Sequence, residues 1–254
     1  MVNIRGSANI SSKANKGVLE QKKDYGKNAE KYFKTHGNVT NKKSGHNIAL
    51  EYLSIFVDKY KMHSLLDIGS GTGRVLTYFK KRPRFIVKGI EPVKEMIDIA
   101  IKQGVDKKDI IEGYGEKLPF KSKSFDAVCE FGVLHHAEYP EKIVKEMMRV
   151  SKKAIFISDT NRFGSNRMLV RVAKLILCKM RIWNFALFVV RGGKRWKMTE
   201  GDGIVYSYSV YDSYNALYEW ADTIILIPLH QNKKSWFNPL LTSTNILLCA
   251  FKDD

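Results

Sequence analysis

The segment Leu65-Leu66-Asp67-Ile68-Gly69-Ser70-Gly71-Thr72-Gly73 has the residue types and spacing to hold a small organic ligand against bare backbone. An apolar run enters a loop with glycine at every second position. Glycine allows a sharp turn and close approach of a ligand, and a helix start behind the loop offers open N–H groups. A dinucleotide loop wants G-x-G-x-x-G around a pyrophosphate, whereas Arg74 stands where the third glycine would be. A phosphate loop needs G-K-[ST], which is absent. Asp67 would repel a pyrophosphate and suits a ligand with cationic sulfonium and ammonium groups. Further along, Gly89-Ile90-Glu91-Pro92 places a carboxylate where it can accept two hydrogen bonds from a ribose diol. Two more segments follow, Glu112-Gly113-Tyr114-Gly115-Glu116-Lys117-Leu118-Pro119-Phe120 and Gly132-Val133-Leu134-His135-His136. His135 or His136 could serve as a general base toward a hydroxyl. Asp159, with Asn161 and Arg162 after it, could touch a substrate at the same sheet edge.

The elements that must position these residues alternate. Residues 45–60 read as an amphipathic helix. Strands are expected at 64–68, 85–90, 109–112, 125–130 and 154–158, and helices at 75–81, 93–102 and 140–150. Such alternation predicts an α/β fold with a parallel sheet covered on both faces. After Asp159 the rhythm breaks, and residues 161–203 form a basic, apolar stretch that ends in the polar segment Thr199-Glu200-Gly201-Asp202-Gly203. With Tyr206, Tyr208 and Tyr211 after it, that segment suits a sugar or another hydroxylated ligand, and equally ordinary packing. A helix over 210–220 and strands at 222–229 and 245–252 complete the pattern. The domain division expected is 1–43 as a basic flexible arm with a cap helix, 44–160 as the ligand-binding core, 161–208 as a substrate-cover insertion, and 209–254 as completion of the sheet.

Taken in order, these motifs resemble the class I methyltransferases, in particular the ubiquinone/menaquinone methyltransferase-like (type 11) group, over roughly residues 25–160. The resemblance implies a Rossmann-like, seven-stranded, mostly parallel sheet with helices on both faces, an N-terminal helical cap and a helical insertion after strand five. It implies S-adenosyl-L-methionine as cofactor and S-adenosyl-L-homocysteine as product. Asp67, Gly69, Ser70 and Gly71 would line its methionine and ribose side. Glu91 would hold the ribose hydroxyls, with Pro92 opening the next helix. Tyr114, Gly115 and Glu116 would border the adenine, and Phe131 the methionyl part. Tyr25 and Tyr32, in Y-x-x-x-A-x-x-Y, are similar to the family's N-terminal segment that closes over the cofactor. Tyr114 stands where the family commonly has Asp, so its ring would stack on or bond the adenine differently.

The acceptor is less constrained. Glu130-Phe131-Gly132-Val133 stands in place of the [DN]-P-P-[YF] of enzymes that methylate exocyclic amino groups of bases, which disfavours base methylation. Acceptors in keeping with the sequence are small or lipid-linked anionic molecules such as a glycan precursor, methylated at oxygen. An RNA methyltransferase and a catalytically silent cofactor-binding protein are the alternatives. Lys and Arg number 43 against 26 Asp and Glu, a formal charge of +17, which attracts nucleic acid, anionic membrane or phosphorylated substrates. Around 165–190, a basic stretch with Trp183, Phe185 and Phe188 could lie on an anionic membrane. Packing of two cap helices on the core is the reading preferred there. Cys129, Cys178 and Cys249 are scattered and form no metal-ligand pattern, so no metal is expected. They fit a reducing cytoplasm, with peripheral membrane contact as the variant.

Overall fold

The structure is a computed structural model that describes residues 26, 29–30, 33, 44–164, 167–199, 202–230 and 238–253. In chain order the described elements are α1 (Gly45–Lys59), β1 (Ser64–Ile68), α2 (Arg74–Phe79), β2 (Ile86–Glu91), α3 (Lys94–Lys102), β3 (Ile110–Glu112), β4 (Phe125–Phe131), α4 (Pro140–Val150) and β5 (Ser151–Thr160). Then come α5 (Met168–Lys179), α6 (Trp183–Val190), β6 (Trp196–Thr199), β7 (Gly203–Tyr206), α7 (Tyr214–Trp220), β8 (Thr223–Pro228), α8 (Pro239–Thr242) and β9 (Asn245–Phe251). Seven strands form one sheet in the order β3-β2-β1-β4-β5-β9-β8. The first five are parallel, while β9 runs antiparallel to both β5 and β8. The expected Rossmann-like sheet is therefore present.

Every residue of β1 is buried, Leu65, Leu66 and Ile68 together with the polar Ser64 and Asp67, since a central parallel strand is covered on both faces. Successive side chains point to opposite faces. Leu65 joins Leu50, Leu53, Leu76, Phe79 and Phe156 under α1, α2 and α3. Leu66 and Ile68 join Phe125, Val128, Ile143, Met147 and Ile155 under α4. Helix α4 starts on Pro140 and buries Ile143, Val144, Met147 and Val150, the i, i+1, i+4, i+7 stripe of a helix on a core.

Three expectations need correction. The helix over 210–220 is broken, with a 3-10 turn at Val210–Asp212 and α7 after it. The reciprocal cap of Ser209 and Asp212 starts the 3-10 turn, and Ser213 both ends that turn and stands at the N-terminus of α7. Strands β6 and β7, on either side of the polar run, pair antiparallel outside the main sheet. Finally, α5 and α6 do not pack as cap helices on the core. Arg171 is the one buried residue of α5, and α6 has none. The N-terminal cap falls largely outside the described residues. Within it Ala29 is buried, against Val93 and Met96.

Candidate functional site

The strand order reverses between β1 and β4, and the carboxyl ends of β1 to β4 surround a cleft at that switch point, where ligands bind in open α/β sheets. It measures roughly 930 Å³ including the part open to solvent, within the size range of small-molecule sites. Its walls include Gly69 and Gly71 after β1, Glu91 and Pro92 after β2, Gly113, Tyr114, Gly115 and Glu116 after β3, and Phe131, Val133 and His136 after β4. A smaller cavity adjoins it beneath the glycine loop, lined by His46, Asp67, Ser70, Thr72 and Arg74, and shares Gly69, Gly71 and Phe131 with it.

Local chemistry fixes the loop. Gly69 N and Ser70 N donate to Ile90 O at 2.8 and 3.1 Å, so the loop is pinned to the end of β2. Gly69 has φ +65, and a Cβ there would run into Val133 at 2.3 Å. Gly71 has φ +53, and a Cβ would meet nothing nearer than Gly69 O at 4.0 Å. Glu91 Oε2 accepts from Gly71 N at 2.8 Å, and Oε1 accepts from Val93 N at 3.0 Å. One carboxylate thus joins the glycine loop to the start of α3, and a carboxylate can accept roughly four hydrogen bonds.

Asp67 lies in the smaller cavity rather than the main cleft. Burial raises its carboxyl to about 7, with Glu91 pushing the same way and Cys129 and Arg74 opposing. Ser70 packs beneath the loop, its buried Oγ without a partner among the described residues and within reach of a Cβ at Gly89. Tyr25 and Tyr32 lie outside the described residues. The cleft thus brings together Gly69, Gly71, Glu91, Pro92, Tyr114, Gly115, Glu116 and Phe131 of the expected set, and the smaller cavity adds Asp67 and Ser70. The motifs did not point to the apolar floor of Ile68, Ile90, Val93, Met96 and Ile143, because those residues read simply as core.

The donor set fits the expected cofactor. An apolar slot with a diol acceptor at Glu91 suits a nucleoside. Beside it, the Asp67 carboxylate and the Arg74 guanidinium suit the two charges of an amino-acid end.

The two histidines separate. His136 lines the cleft, and His135 does not. His135 is buried, and its Nδ1 meets Asp159 Oδ1 at 2.7 Å while its backbone N–H donates to Asp159 Oδ2 at 3.2 Å. Nε2 of His135 faces Asp202 Oδ2 at 3.4 Å, and Nε2 of His136 faces Asp202 Oδ1 at 3.5 Å. Burial opposes charge on His135, yet Asp159 and Asp202 outweigh it and push the imidazolium up to about 10. Against the cost of burial, His135 holds Asp159 below the usual carboxylate range. His135, with His136 beside it, holds Asp202 well below it. Glu130, fully buried on the neighbouring strand, is pushed well up by burial and by Asp159. His136 Nδ1 lies 2.7 Å from Ile204 O. A carbonyl only accepts, so Nδ1 carries the proton and Nε2 is the basic nitrogen of a neutral His136. The ligand-type atoms of His135, His136 and Asp202 lie within 4.8 Å of one another, close enough to share a proton or a cation. The sequence motifs gave neither Glu130 nor Asp202 a place beside the histidines. Asp202 reaches the histidines only because β7 folds back on the turn that carries them.

Residues 66–157 match a methyltransferase domain family. Residues 66–157 carry the features of a class I, S-adenosylmethionine-dependent methyltransferase domain. A relative of this domain in Methanocaldococcus jannaschii, itself uncharacterized, is 41% identical over 88 residues, 35% of this chain and 39% of its own. Norajmaline N-methyltransferase of Rauvolfia serpentina is 34% identical over 109 residues, 41% of this chain and 37% of its own. The chain thus spans about two fifths of the curated relatives it matches. Among solved structures, magnesium protoporphyrin IX methyltransferase of Synechocystis with bound S-adenosylmethionine has the same fold at 11% identity, with a TM-score of 0.59 over 96% of this chain and all of that one.

Proposed function

We propose that this protein transfers a methyl group from S-adenosylmethionine to an oxygen of a small or lipid-linked hydroxylated acceptor, such as a glycan precursor. The observation that carries the reading is that one cleft runs from the Glu91 carboxylate to His136. The cofactor, when bound, supplies an activated methyl on a sulfonium.

The chain's own residues then bind, orient and move a proton. Glu91 accepts hydroxyl hydrogen bonds and, through Gly71, keeps the glycine loop in register. Asp67 and Arg74 would hold the charged end of the cofactor, and Ile90, Met96 and Ile143 would exclude water from its apolar part. Direct displacement needs alignment above all, which a cleft built on rigid strand ends provides. At the acceptor end, Nε2 of His136 takes the hydroxyl proton, and Asp202 balances the charge that forms. His135 does not act as base at neutral pH, since Asp159 and Asp202 keep it protonated. It serves as a charged strut that holds Asp202 in place.

Support for a small-molecule acceptor comes from norajmaline N-methyltransferase, whose acceptor atom is nitrogen; the proton-accepting His136 favours oxygen here. The test has two arms. Calorimetry with S-adenosylhomocysteine should show binding to the wild type. Transfer of labelled methyl into hydroxylated acceptors should fall about 10²- to 10⁴-fold in His136→Asn, with S-adenosylhomocysteine binding unchanged. No binding by the folded wild type would overturn the cofactor reading, and full transfer by His136→Asn would overturn the base.

A further inference from the structure

We propose that the α5–α6 pair is a docking surface for an anionic lipid bilayer. A helix of a soluble protein normally turns its apolar stripe inward, and α5 turns its stripe outward. Leu169, Val172 and Ile176, spaced to share one face, are exposed, while Arg171 is buried. On α6, Phe185, Val189 and Val190 are exposed by 69%, 60% and 81%. Thirteen of the eighteen large apolar side chains exposed among the described residues fall between Met168 and Met198.

The inward faces explain how this arrangement is held. Trp183 Nε1 donates to Ser207 Oγ at 2.9 Å, and Lys174 Nζ donates to Arg162 O at 2.7 Å. The Arg162 guanidinium lies over the Trp183 ring and pairs with Asp212. Polar anchors on the core side thus fix the two helices with their apolar faces out.

Charge identifies the occupant. From Thr160 to Thr199 the sequence holds ten Lys and Arg and no Asp or Glu. Arg167, Lys179, Arg181, Lys194, Arg195 and Lys197 are exposed around the apolar patch. An apolar face rimmed by cations, with no anion to repel lipid phosphates, is the composition of a helix lying in a membrane interface. No described helix is long and apolar enough to cross a bilayer, so the surface would lie on the membrane. RNA would use the cations and leave the exposed apolar side chains without a role. A second copy of this chain would bring an equally cationic surface against the first. β6 and β7 follow α6 directly and place Asp202 beside His135 and His136, so a bilayer here would sit close in sequence to the hairpin that carries Asp202.

This inference goes beyond the methyl-transfer reading, and its test is independent of it. Full-length protein is floated with vesicles of phosphatidylcholine, with and without phosphatidylglycerol. Binding is expected to the anionic vesicles and to fall at least about tenfold in the Leu169→Asp/Phe185→Asp variant. That variant should keep the cooperative thermal unfolding of the wild type, which shows that it folds; Leu169→Ser/Phe185→Ser replaces it should it not. Absence of binding to anionic vesicles would overturn the proposal. So would binding that ignores the apolar substitutions, or that RNA abolishes while itself gripping the same patch. A wild-type dimer that dissociates in the same variant and does not float would assign the face to a second copy.

Discussion

Helices α4 and α5 are of similar length, 11 and 12 residues, and both carry apolar residues at helical spacing. They turn those residues in opposite directions. Helix α4 buries Ile143, Val144, Met147 and Val150 against the sheet, whereas α5 buries Arg171 and exposes Leu169, Val172 and Ile176. Periodicity therefore establishes that a stripe exists, and its neighbours decide what covers it. The difference also divides labour. The α4 side carries the rigid strand ends that shape the cofactor cleft, and the α5 side holds an outward surface through polar anchors.

The largest test of this contrast is a matched pair of truncations. Met147→Ala, at a fully buried position, should cost about 2–5 kcal/mol in denaturant unfolding. Ile176→Ala, 53% exposed, should stay within about 0.5 kcal/mol. Equal losses would mean that α5 is packed after all.

Cofactor binding should be equally one-sided. Glu91→Ala removes a charged acceptor that also holds Gly71 and Val93, and should weaken S-adenosylhomocysteine by roughly 1.5–3 kcal/mol, about ten- to a hundred-fold. Ile176→Ala should leave the titration unchanged.

A pH series tests Asp67, which sits under the same strand ends. Its folded value, about 7, lies above the ordinary one, so the folded state binds the extra proton. Its contribution to stability is full below the ordinary carboxylate value and is lost as pH rises toward 7. Binding of a ligand with a cationic ammonium should move the other way, strengthening between about pH 6 and 8 as Asp67 ionises. Asp67→Asn should flatten both dependences, and an unchanged slope in that variant would rule out Asp67 as their source.

The smallest effect is expected at the anchor of the outward pair. Trp183→Phe removes the hydrogen bond to Ser207 Oγ and should cost about 0.5–1.5 kcal/mol, with faster amide exchange in α6. No change there would mean that the Arg162 and Lys174 contacts suffice.

Much of the cleft was legible because it is made by local sequence. Gly69 and Gly71 stand where the backbone must take positive φ, Glu91 ends a strand, and each lies within a few residues of the signal that predicts its element. The position of Asp202 was not legible. Its place beside His135 and His136 depends on a hairpin that returns to a turn 66 residues earlier in the chain, and no local pattern encodes that return. His135 and His136, adjacent and alike in sequence, received different surroundings, one enclosed by two carboxylates and the other placed on the cleft wall.

By itself the sequence determined the alternating strands and helices, the parallel sheet and the glycine loop, because hydrophobic period and glycine conformation act over a few residues. Tertiary structure alone decided which histidine faces the ligand, where Asp202 lies, and that the α5 stripe faces outward. Those outcomes depend on which surfaces meet, and burial, desolvation and ion pairing are properties of the meeting rather than of either segment.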